Sequence, residues 1–286
     1  AVRAVLVPVM TVHGNVISFD LVMQTANDGT LVFGLGLSEF QHWIAAAKGD
    51  LIPQLLDQFS ALMKWRDTDA FCRPHIMGIL NVTPDSFSDG GQFNAPDQAI
   101  ARTKDMIAQG ATIIDIGGES TRPGSGYVEI EEEIARTQPV IAAVAPEVDT
   151  PISIDTRKAP VAKAALGAGA ALINDVSGFT FDAELGPLAA AEKAPVCVMH
   201  AQGDPATMQD DPSYDDVLLD VYDFLEAQVT QLEKLGVTRN QIVVDPGIGF
   251  GKTLEHNLAL LARISLFHSL GCPILLGASR KRLIDA

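Results

Sequence analysis

Residues 77–91 read Met-Gly-Ile-Leu-Asn-Val-Thr-Pro-Asp-Ser-Phe-Ser-Asp-Gly-Gly, and they indicate a buried strand that runs directly into a polar loop. The apolar run at 76–80 stops at Asn81, and the loop after it carries carboxylates, hydroxyls and one aromatic side chain, Phe87. Loops at the carboxyl ends of strands carry the functional groups of many α/β enzymes. The stretch therefore predicts an α/β enzyme whose site lies at the strand ends.

The same alternation of strand and helix repeats along the chain after residue 75. Several of the apolar runs have no polar position, as expected for parallel strands that helices cover on both faces. The pattern predicts strands at 76–80, 113–116, 152–154, 172–173, 196–199, 242–244 and 274–276. It predicts helices at 96–110, 160–169 and 215–236, each ended by a glycine. Such regular units favour a (β/α)8 TIM barrel over an open doubly wound sheet.

This count gives seven strands, whereas a (β/α)8 barrel has eight. The sequence ends at Ala286, inside the helix expected after the seventh strand. We therefore expect residues 71–286 to form a barrel that lacks its last strand–helix unit.

Residues 1–70 do not follow this alternation and are predicted to be an N-terminal extension. Strands are expected at 5–9 and 16–23 with a turn at 13–15 between them, and helices at 38–48 and 51–64. Ser38, followed by Gln41, is the predicted N-cap of the first helix.

The overall composition excludes some partners. The chain has 286 residues, and its 20 basic and 36 acidic side chains give a formal charge of −16, which argues against a nucleic-acid or anionic-membrane surface. Cys72, Cys197 and Cys272 have no disulfide-like or metal-like spacing, and Cys197 is expected to be a core residue. With no apolar run long enough to span a membrane, these features predict a cytoplasmic protein.

Polar side chains follow nearly all the predicted strands, and in a barrel these strand ends meet at one mouth. Carboxylates and amides end the middle strands, at Asp115, Asp155, Asn174 and Asp245. A single aspartate there usually caps the next helix, but four polar strand ends in one barrel favour a binding site. Together with Lys281 they suit a planar heterocycle with donors and acceptors at its rim.

Two further sequence features lie at these strand ends: a glycine-rich loop and a histidine. Residues 249–253, Gly-Phe-Gly-Lys-Thr, look like a nucleotide-binding loop, but Pro246 stands where a Walker loop requires glycine. An open-sheet nucleotide-binding protein is therefore not favoured. His200 ends a strand, and a ligand contact and a hydrogen-bonded structural role are both open.

The ordered set of motifs over residues 75–286 resembles the dihydropteroate synthase family. The motifs that carry this resemblance are NVTPDSFSDGG at 81–91, DIGGESTRPG at 115–124, SIDT at 153–156, INDVSG at 173–178, VMH at 198–200, DPGIGFGK at 245–252 and GASRK at 277–281. Related pterin-binding barrels would not be expected to carry both the 119–124 loop and the Ser-Arg-Lys end at 279–281.

The resemblance implies roles for individual residues. A pterin pocket would be lined by Asp115, Asp155, Asn174, Met199, Asp245, Gly277 and Lys281. A mobile loop would carry Thr121, Arg122 and Pro123, and the p-aminobenzoate ring would be bordered by Phe87, Pro123 and Phe250. Ser279, Arg280 and Lys281 would lie at the junction of the two substrates. The catalytic residues would be Asp155, Lys281, Arg122 and Asn81, and Asn81 would also bind Mg²⁺ together with the pyrophosphate.

The implied reaction joins 6-hydroxymethyl-7,8-dihydropterin pyrophosphate to p-aminobenzoate by an SN1-like path, with 7,8-dihydropteroate and pyrophosphate as products. The resemblance also implies a homodimer if the C-terminal helices are present. The family's last strand normally ends in an Arg-x-His pair, but the Arg-x-His of this sequence, at Arg73 and His75, precedes the first barrel strand, and no such pair follows the seventh. The alternative is therefore a truncated or divergent pterin-binding protein without synthase activity.

Overall fold

The computed structural model describes residues 3–10, 16–25, 29–63, 74–82, 95–120, 126–203, 208, 211–279 and 281. The strands within these residues are β1 (Arg3–Met10), β2 (Val16–Thr25), β3 (Gly29–Gly36), β4 (Met77–Asn81), β5 (Ile113–Gly117), β6 (Ile152–Asp155), β7 (Leu172–Asp175), β8 (Val196–Met199) and β9 (Ile242–Asp245). The α-helices are α1 (Leu37–Ala46), α2 (Ile52–Met63), α3 (Ala95–Ala108), α4 (Ile130–Val144), α5 (Ala159–Ala168), α6 (Leu185–Glu192), α7 (Val217–Leu235) and α8 (Leu254–Ala262).

Strands β4 to β9 form one parallel sheet in chain order, and helices connect successive strands. Six of the seven strands predicted after residue 75 are therefore confirmed, as is the α/β class. The seventh, at 274–276, is wrong as a strand. The segment makes one parallel bridge, from Ile274 to Val244, and two backbone hydrogen bonds of 2.9 Å on either side of it. The segment runs beside β9 but does not continue the hydrogen-bond pairing with it beyond this bridge. Pro273 has no N–H to donate, and Leu276 is exposed.

The three helices predicted in this part of the chain are confirmed as α3, α5 and α7. The Asp216 carboxylate caps α7 by accepting hydrogen bonds from the N–H groups of Leu218 and Leu219 at 3.0 and 3.2 Å. Gly236 ends α7 and Gly169 ends α5, each in the left-handed region with φ of 107° and 115°. Side chains disfavour that conformation, so a glycine at these positions ends the helix at low cost.

Side chains alternate across the parallel sheet, and this alternation positions the site. On one face, residues such as Ile114, Ile154 and Val244 are fully buried in the main core against the helices. On the opposite face, Leu172, Cys197 and Val243 form a small apolar layer, which confirms Cys197 as a core residue. Polar strand-end residues share this second face, because they lie two positions further along the same strands.

The N-terminal strands form a separate antiparallel sheet in the order β1-β2-β3. The two predicted strands and both helices are confirmed, β3 was not predicted, and the turn at 13–15 lies outside the described residues. Ser38 was wrong as the N-cap: α1 begins one residue earlier, after Gly36, whose N–H donates to Glu39 Oε2 at 2.9 Å. Glu39 therefore fills the role expected of Gln41, since it accepts from the N–H of the N-cap residue.

A small core belongs to this N-terminal part. Leu6 packs in it with Phe40, Ile44, Leu55 and Leu62. The Leu6 N–H donates to the buried Gln58 side chain at 2.8 Å, so β1 and α2 are joined by a polar bond as well. No helix among the described residues is both long enough and apolar enough to cross a membrane.

Candidate active site

The carboxyl ends of four neighbouring strands lie side by side, and the polar side chains at and near these ends are called the row below. In the sheet register Asn81 of β4 lies beside Gly117 of β5, Gly117 lies beside Asp155 of β6, and Asp155 lies beside Asn174 of β7. Further along the sheet, Met199 of β8 lies beside Asp245 of β9. Residues far apart in sequence therefore meet at one edge of the sheet, as the strand-end argument predicted.

Asp115 and Asn174 form the buried floor of this row. The Asn174 amide Nδ2 donates to Asp115 Oδ2 at 3.1 Å across the intervening strand β6. Asp115 Oδ1 and Ser153 Oγ lie on neighbouring strands, are buried, and make no hydrogen bond of normal geometry within the described residues, although the Ser153 hydroxyl helps to lower the pKa of Asp115. Because an unpaired buried polar atom costs free energy, these atoms are poised to bind the donors of a ligand.

The pKa values of two carboxyl groups in the row, Asp155 and Asp115, are raised. Burial raises the pKa of Asp155 well above its ordinary value, and the charges of Asp115 and Asp175 raise it further. Burial also raises the pKa of Asp115, although the hydrogen bond from Asn174 opposes the shift. A cationic or donor-rich ring that binds here would relieve the repulsion between these carboxylates.

Asp245 and Lys281 form the other end of the site. Burial raises the pKa of Asp245 to about 6, while the Gly247 N–H, 2.7 Å from Oδ1, and the charges of Lys281 and Lys252 oppose the shift. Lys281 Nζ donates to the carbonyl of Ile248 and lies 4.5 Å from the centre of the Phe250 ring. Burial lowers the pKa of Lys281, and the Asp245 carboxylate partly offsets this effect.

A buried ion cluster lies beside the row, after the turn that ends β6. Lys158 Nζ lies 2.7 Å from Glu133 Oε2 and 3.3 Å from Glu119 Oε2, and Arg157 Nε lies 3.2 Å from Glu119 Oε2. Burial alone would raise the pKa of Glu119, but the hydrogen bonds from Arg157 and the Val128 N–H and the Lys158 charge lower it overall.

A pocket of about 240 Å³ opens next to this cluster. It is lined by Arg157, Val176, Ser177, Thr180, Phe181, Ala201, Gly203, Met208 and Phe250. The Arg157 guanidinium carbon lies 4.1 Å from the centre of the Phe181 ring. The pocket thus has an aromatic and a cationic wall beside the strand ends.

Comparison with known proteins decides the family. A family model described as "Pterin binding enzyme" matches residues 77–286. A dihydropteroate synthase of Synechocystis is 48% identical over 237 residues, which cover 82% of this chain and 82% of the relative. The chain belongs to the dihydropteroate synthase family.

Solved structures agree with this family assignment. A Yersinia pestis dihydropteroate synthase with a sulfonamide drug complex has a TM-score of 0.70 at 46% identity, over 74% of this chain and 77% of that one. A Xanthomonas albilineans dihydropteroate synthase with 4-aminobenzoic acid has a TM-score of 0.69 at 43% identity, over 74% and 76%. The predicted TIM-barrel class and the predicted dihydropteroate synthase function are confirmed, and the alternative without synthase activity is not favoured.

The structure brings most of the described candidate residues together. Those in the row or in contact with it are Asp115, Asp155, Asn174, Met199, Asp245, Gly277, Phe250 and Lys281. Gly277 belongs to this set because a Cβ built on it would lie 3.8 Å from Asp245 Oδ2. Ser279 and Asn81 are exposed at its rim. The predictions for Phe87, Thr121, Arg122, Pro123 and Arg280 lie outside the described residues.

Sequence reasoning missed several groups of the synthase site. Ser153 could have been found, because it precedes Asp155 by two residues and so shares its face of β6. Lys252 was part of a rejected nucleotide loop and of the 245–252 motif, but no role was assigned to it. His200 is structural: its ring packs edge-on against Phe224 at 5.0 Å, and burial lowers its pKa to about 3.

Gly247 is expected to be intolerant of any side chain. Its φ is +67°, and a Cβ at this position would lie 1.8 Å from the His200 carbonyl oxygen. We expect Gly247→Ala to lower the free energy of unfolding by about 2–4 kcal/mol, measured by urea denaturation. Gly167→Ala is the matched control, since no atom lies within 4 Å of its Cβ in α5 and alanine favours a helix. Equal stability of the two variants would contradict this account of the loop.

Proposed function

We propose that this chain condenses 6-hydroxymethyl-7,8-dihydropterin pyrophosphate with p-aminobenzoate by an SN1-like path. The observation that carries the proposal is the row of Asp115, Asp155 and Asn174, in which Asp115 and Asn174 are buried, Asp155 is half-buried, and Asp115 Oδ1 makes no hydrogen bond of normal geometry. Support comes from a Xanthomonas albilineans relative solved in complex with 7,8-dihydropteroate, at 39% identity.

The pterin ring is assigned to the row. Asp155, Asn174 and Asp245 supply carboxylate and amide groups that can pair with the ring's N–H, amino and carbonyl groups. The carboxylates at Asp155 and Asp245 also stabilise positive charge that develops on the pterin as the leaving group departs.

The condensation breaks the bond between the methylene carbon and the pyrophosphate oxygen, and the electron pair leaves with pyrophosphate. The amine nitrogen of p-aminobenzoate then bonds to that carbon and loses a proton. Lys281 is assigned to the junction of the two substrates, where its ammonium lies over Phe250 and close to Asp245. Because an arylamine is a weak nucleophile, exclusion of water from this junction protects the electrophilic carbon.

Magnesium fits the described donors as a partner of the substrate. Asn81 offers an exposed amide at the end of β4, and no group of three His, Cys, Asp or Glu side chains in the described ranges could hold a metal. Mg²⁺ usually binds one or two protein oxygens together with substrate phosphates. When bound, Mg²⁺ would neutralise negative charge on the pyrophosphate. Arg122, Thr121 and Pro123 are assigned to the same region by the family motif alone.

The organisation of the whole protein is also a proposal. We assign residues 1–70 to an N-terminal extension, which has a small core of its own and adds Val5 to the main core, and residues 71–286 to the catalytic barrel. We further assign the protein to the cytoplasm and to a homodimer with small-molecule substrates as its ligands. Light scattering of the purified chain tests the oligomeric state.

The product assay tests the proposed reaction. Purified protein is incubated with the pterin pyrophosphate and Mg²⁺, with or without p-aminobenzoate, and 7,8-dihydropteroate is quantified by chromatography. We expect dihydropteroate to form together with an equal amount of pyrophosphate, and only when p-aminobenzoate is present. Tight binding of the pterin with no dihydropteroate would contradict the proposal.

Pterin affinity is expected to depend on the ionisation of Asp245. Its pKa of about 6 means that the carboxylate accepts hydrogen bonds fully only above that pH. We expect the Kd of the pterin to rise about ten-fold between pH 8 and pH 5.

The same raised pKa makes the free energy of unfolding fall as pH rises from 3.8 to about 6, because the folded state holds a proton on Asp245 that the unfolded chain has lost.

Asp245→Asn is the control for this pH dependence. Titration calorimetry across the pH range should show a flatter profile for that variant, because asparagine does not titrate. An unchanged profile would assign the dependence to another group.

A further inference from the structure

The loop after β9 is built from residues with little conformational restraint of their own. Gly247, Gly249 and Gly251 alternate along it, with φ values of +67°, +81° and +62°. Glycine is the residue that loses most conformational freedom on folding, so three of them make a loop that needs external restraint. The loop nevertheless carries Phe250 and the Ile248 carbonyl that contacts Lys281.

The side chain of Lys252, the residue after Gly251, restrains this loop through its hydrogen bonds. Its side chain is buried, and Nζ lies 2.9 Å from the carbonyl oxygens of Gly247 and Phe250 and 2.9 Å from His200 Nδ1. The His200 carbonyl lies 3.3 Å from the same nitrogen. One ammonium group therefore joins both arms of the loop to the end of β8.

The groups around Lys252 favour this arrangement. The pKa of His200 is lowered to about 3 by burial and by the Lys252 charge, so the neutral imidazole accepts a hydrogen bond from the ammonium. Burial lowers the pKa of Lys252 to about 7, the Asp245 charge opposes this shift, and the Lys281 charge adds to it. Lys252 is thus about half protonated at neutral pH and largely protonated below it, and its neutral amine can still donate two hydrogen bonds.

Other bonds also hold the backbone beside Phe250, whereas Lys252 joins the Gly247 and Phe250 carbonyls to the end of β8. The Gly249 N–H donates to Asn257 Oδ1 at 2.7 Å, and the Tyr214 hydroxyl donates to the Gly251 carbonyl at 2.7 Å. The Phe250 N–H donates to the Gly247 carbonyl at 3.1 Å, which is itself an acceptor for Lys252.

We propose that Lys252 is a positioning residue for the second substrate: by holding the carbonyls of Gly247 and Phe250 it sets the Phe250 ring and the Ile248 carbonyl against Lys281. It touches neither substrate in this assignment. The inference rests on the proposed function, in which Phe250 and Lys281 border the p-aminobenzoate ring.

Lys252→Met is the direct test, because methionine keeps most of the side-chain volume and removes every donor. We expect the KM for p-aminobenzoate to rise about ten- to a hundred-fold, the loss expected for hydrogen bonds from a charged donor. At pH 8, where the Asp245 carboxylate is ionised, the Kd of the pterin pyrophosphate should change less than about three-fold, since the row at Asp115 and Asn174 is not disturbed. A purely structural role would instead lower the melting temperature and leave the KM for p-aminobenzoate unchanged.

Two further variants complete the experiment. Lys252→Gln keeps an amide donor and should fall between the wild type and Lys252→Met, and it replaces the methionine variant if that one does not fold. Lys104→Met removes a surface lysine paired with Glu147 and should match the wild type in both constants. An unchanged KM for p-aminobenzoate in a folded Lys252 variant overturns the inference.

Amide hydrogen exchange tests the role of Lys252 without relying on catalysis, and so independently of the proposed function. Amide exchange of the peptide that contains Phe250, measured by mass spectrometry without substrates, should be about ten-fold faster in Lys252→Met than in the wild type. If the wild type forms no dihydropteroate, the proposed function fails, and unchanged exchange in the variant would independently overturn the role of Lys252.

Discussion

Replacing Asp155 by alanine is expected to lower kcat for dihydropteroate formation by about a hundred- to a thousand-fold, the loss typical of one preorganised electrostatic group. Asp155 lies beside Asn174 in the row, and its carboxylate faces positive charge that develops on the pterin. The fold should remain intact, because Asp115 and Asp175 disfavour the charge of Asp155 in the free protein. The measurement is steady-state kinetics together with a thermal melt.

The loss of kcat is expected to depend on where the acidic side chain lies, and a nearby acid outside the row is the control. Asp149→Ala removes an exposed acid just before the same strand and should leave kcat unchanged. Lys281→Ala should lower kcat to a similar degree as Asp155→Ala, since the ammonium lies where the two substrates meet. A folded Asp155→Ala enzyme with near-normal turnover would remove Asp155 from the assignment, and the same result for Lys281→Ala would remove Lys281.

Replacing Lys158 by methionine is expected to have the largest effect on stability, a loss of about 3–5 kcal/mol in the free energy of unfolding. Lys158 and Glu133 are almost completely buried, and their charged atoms lie 2.7 Å apart. Without the ammonium, the carboxylates of Glu133 and Glu119 remain in the interior without their shared partner. Urea denaturation monitored by circular dichroism measures the change.

Two comparisons make this stability prediction specific. Lys158→Met combined with Glu133→Gln should recover part of the loss, because it removes the stranded buried charge. Lys104→Met breaks an exposed ion pair and should cost less than about 1 kcal/mol. A loss below about 1 kcal/mol for Lys158→Met would show that the cluster does not stabilise the fold.

The parallel sheet could be predicted from the sequence because its strands are short, mostly apolar runs that end abruptly at polar residues. In the strands β5 to β9 almost every residue is buried, so the pattern is not diluted by solvent-facing positions. The strand β3 was missed because it contains Gly29, Gly34 and Gly36, which have low strand propensity. Its pairing with β2 along its whole length outweighs that propensity.

Helix α4 illustrates a second limit of the sequence pattern. It contains Pro139, which normally argues against a helix interior, and three consecutive glutamates in its first turn. Burial of Val140, Ile141 and Val144 against the sheet stabilises the helix despite the proline. Packing of this kind depends on partners distant in sequence and is not visible in a local window.

The sequence predicted which residues form the candidate site, but not the hydrogen bonds between them or their shifted pKa values. Strand ends alone placed Asp115, Asp155, Asn174 and Asp245 together. The bond between Asn174 and Asp115 joins residues 59 positions apart, and the raised pKa values follow from burial that only the fold creates. Lys252 was overlooked for the same reason, because its partners come from the ends of two different strands.

The central claim is that the strand-end row holds the pterin ring, and a crystal structure with bound pterin pyrophosphate and Mg²⁺ tests it most directly. We expect ring nitrogen and oxygen atoms within about 3 Å of the side chains of Asp155, Asn174 and Asp245. The pyrophosphate should point toward Asn81. A pterin ring bound elsewhere, with the unpaired Asp115 oxygen left unsatisfied, would contradict the account.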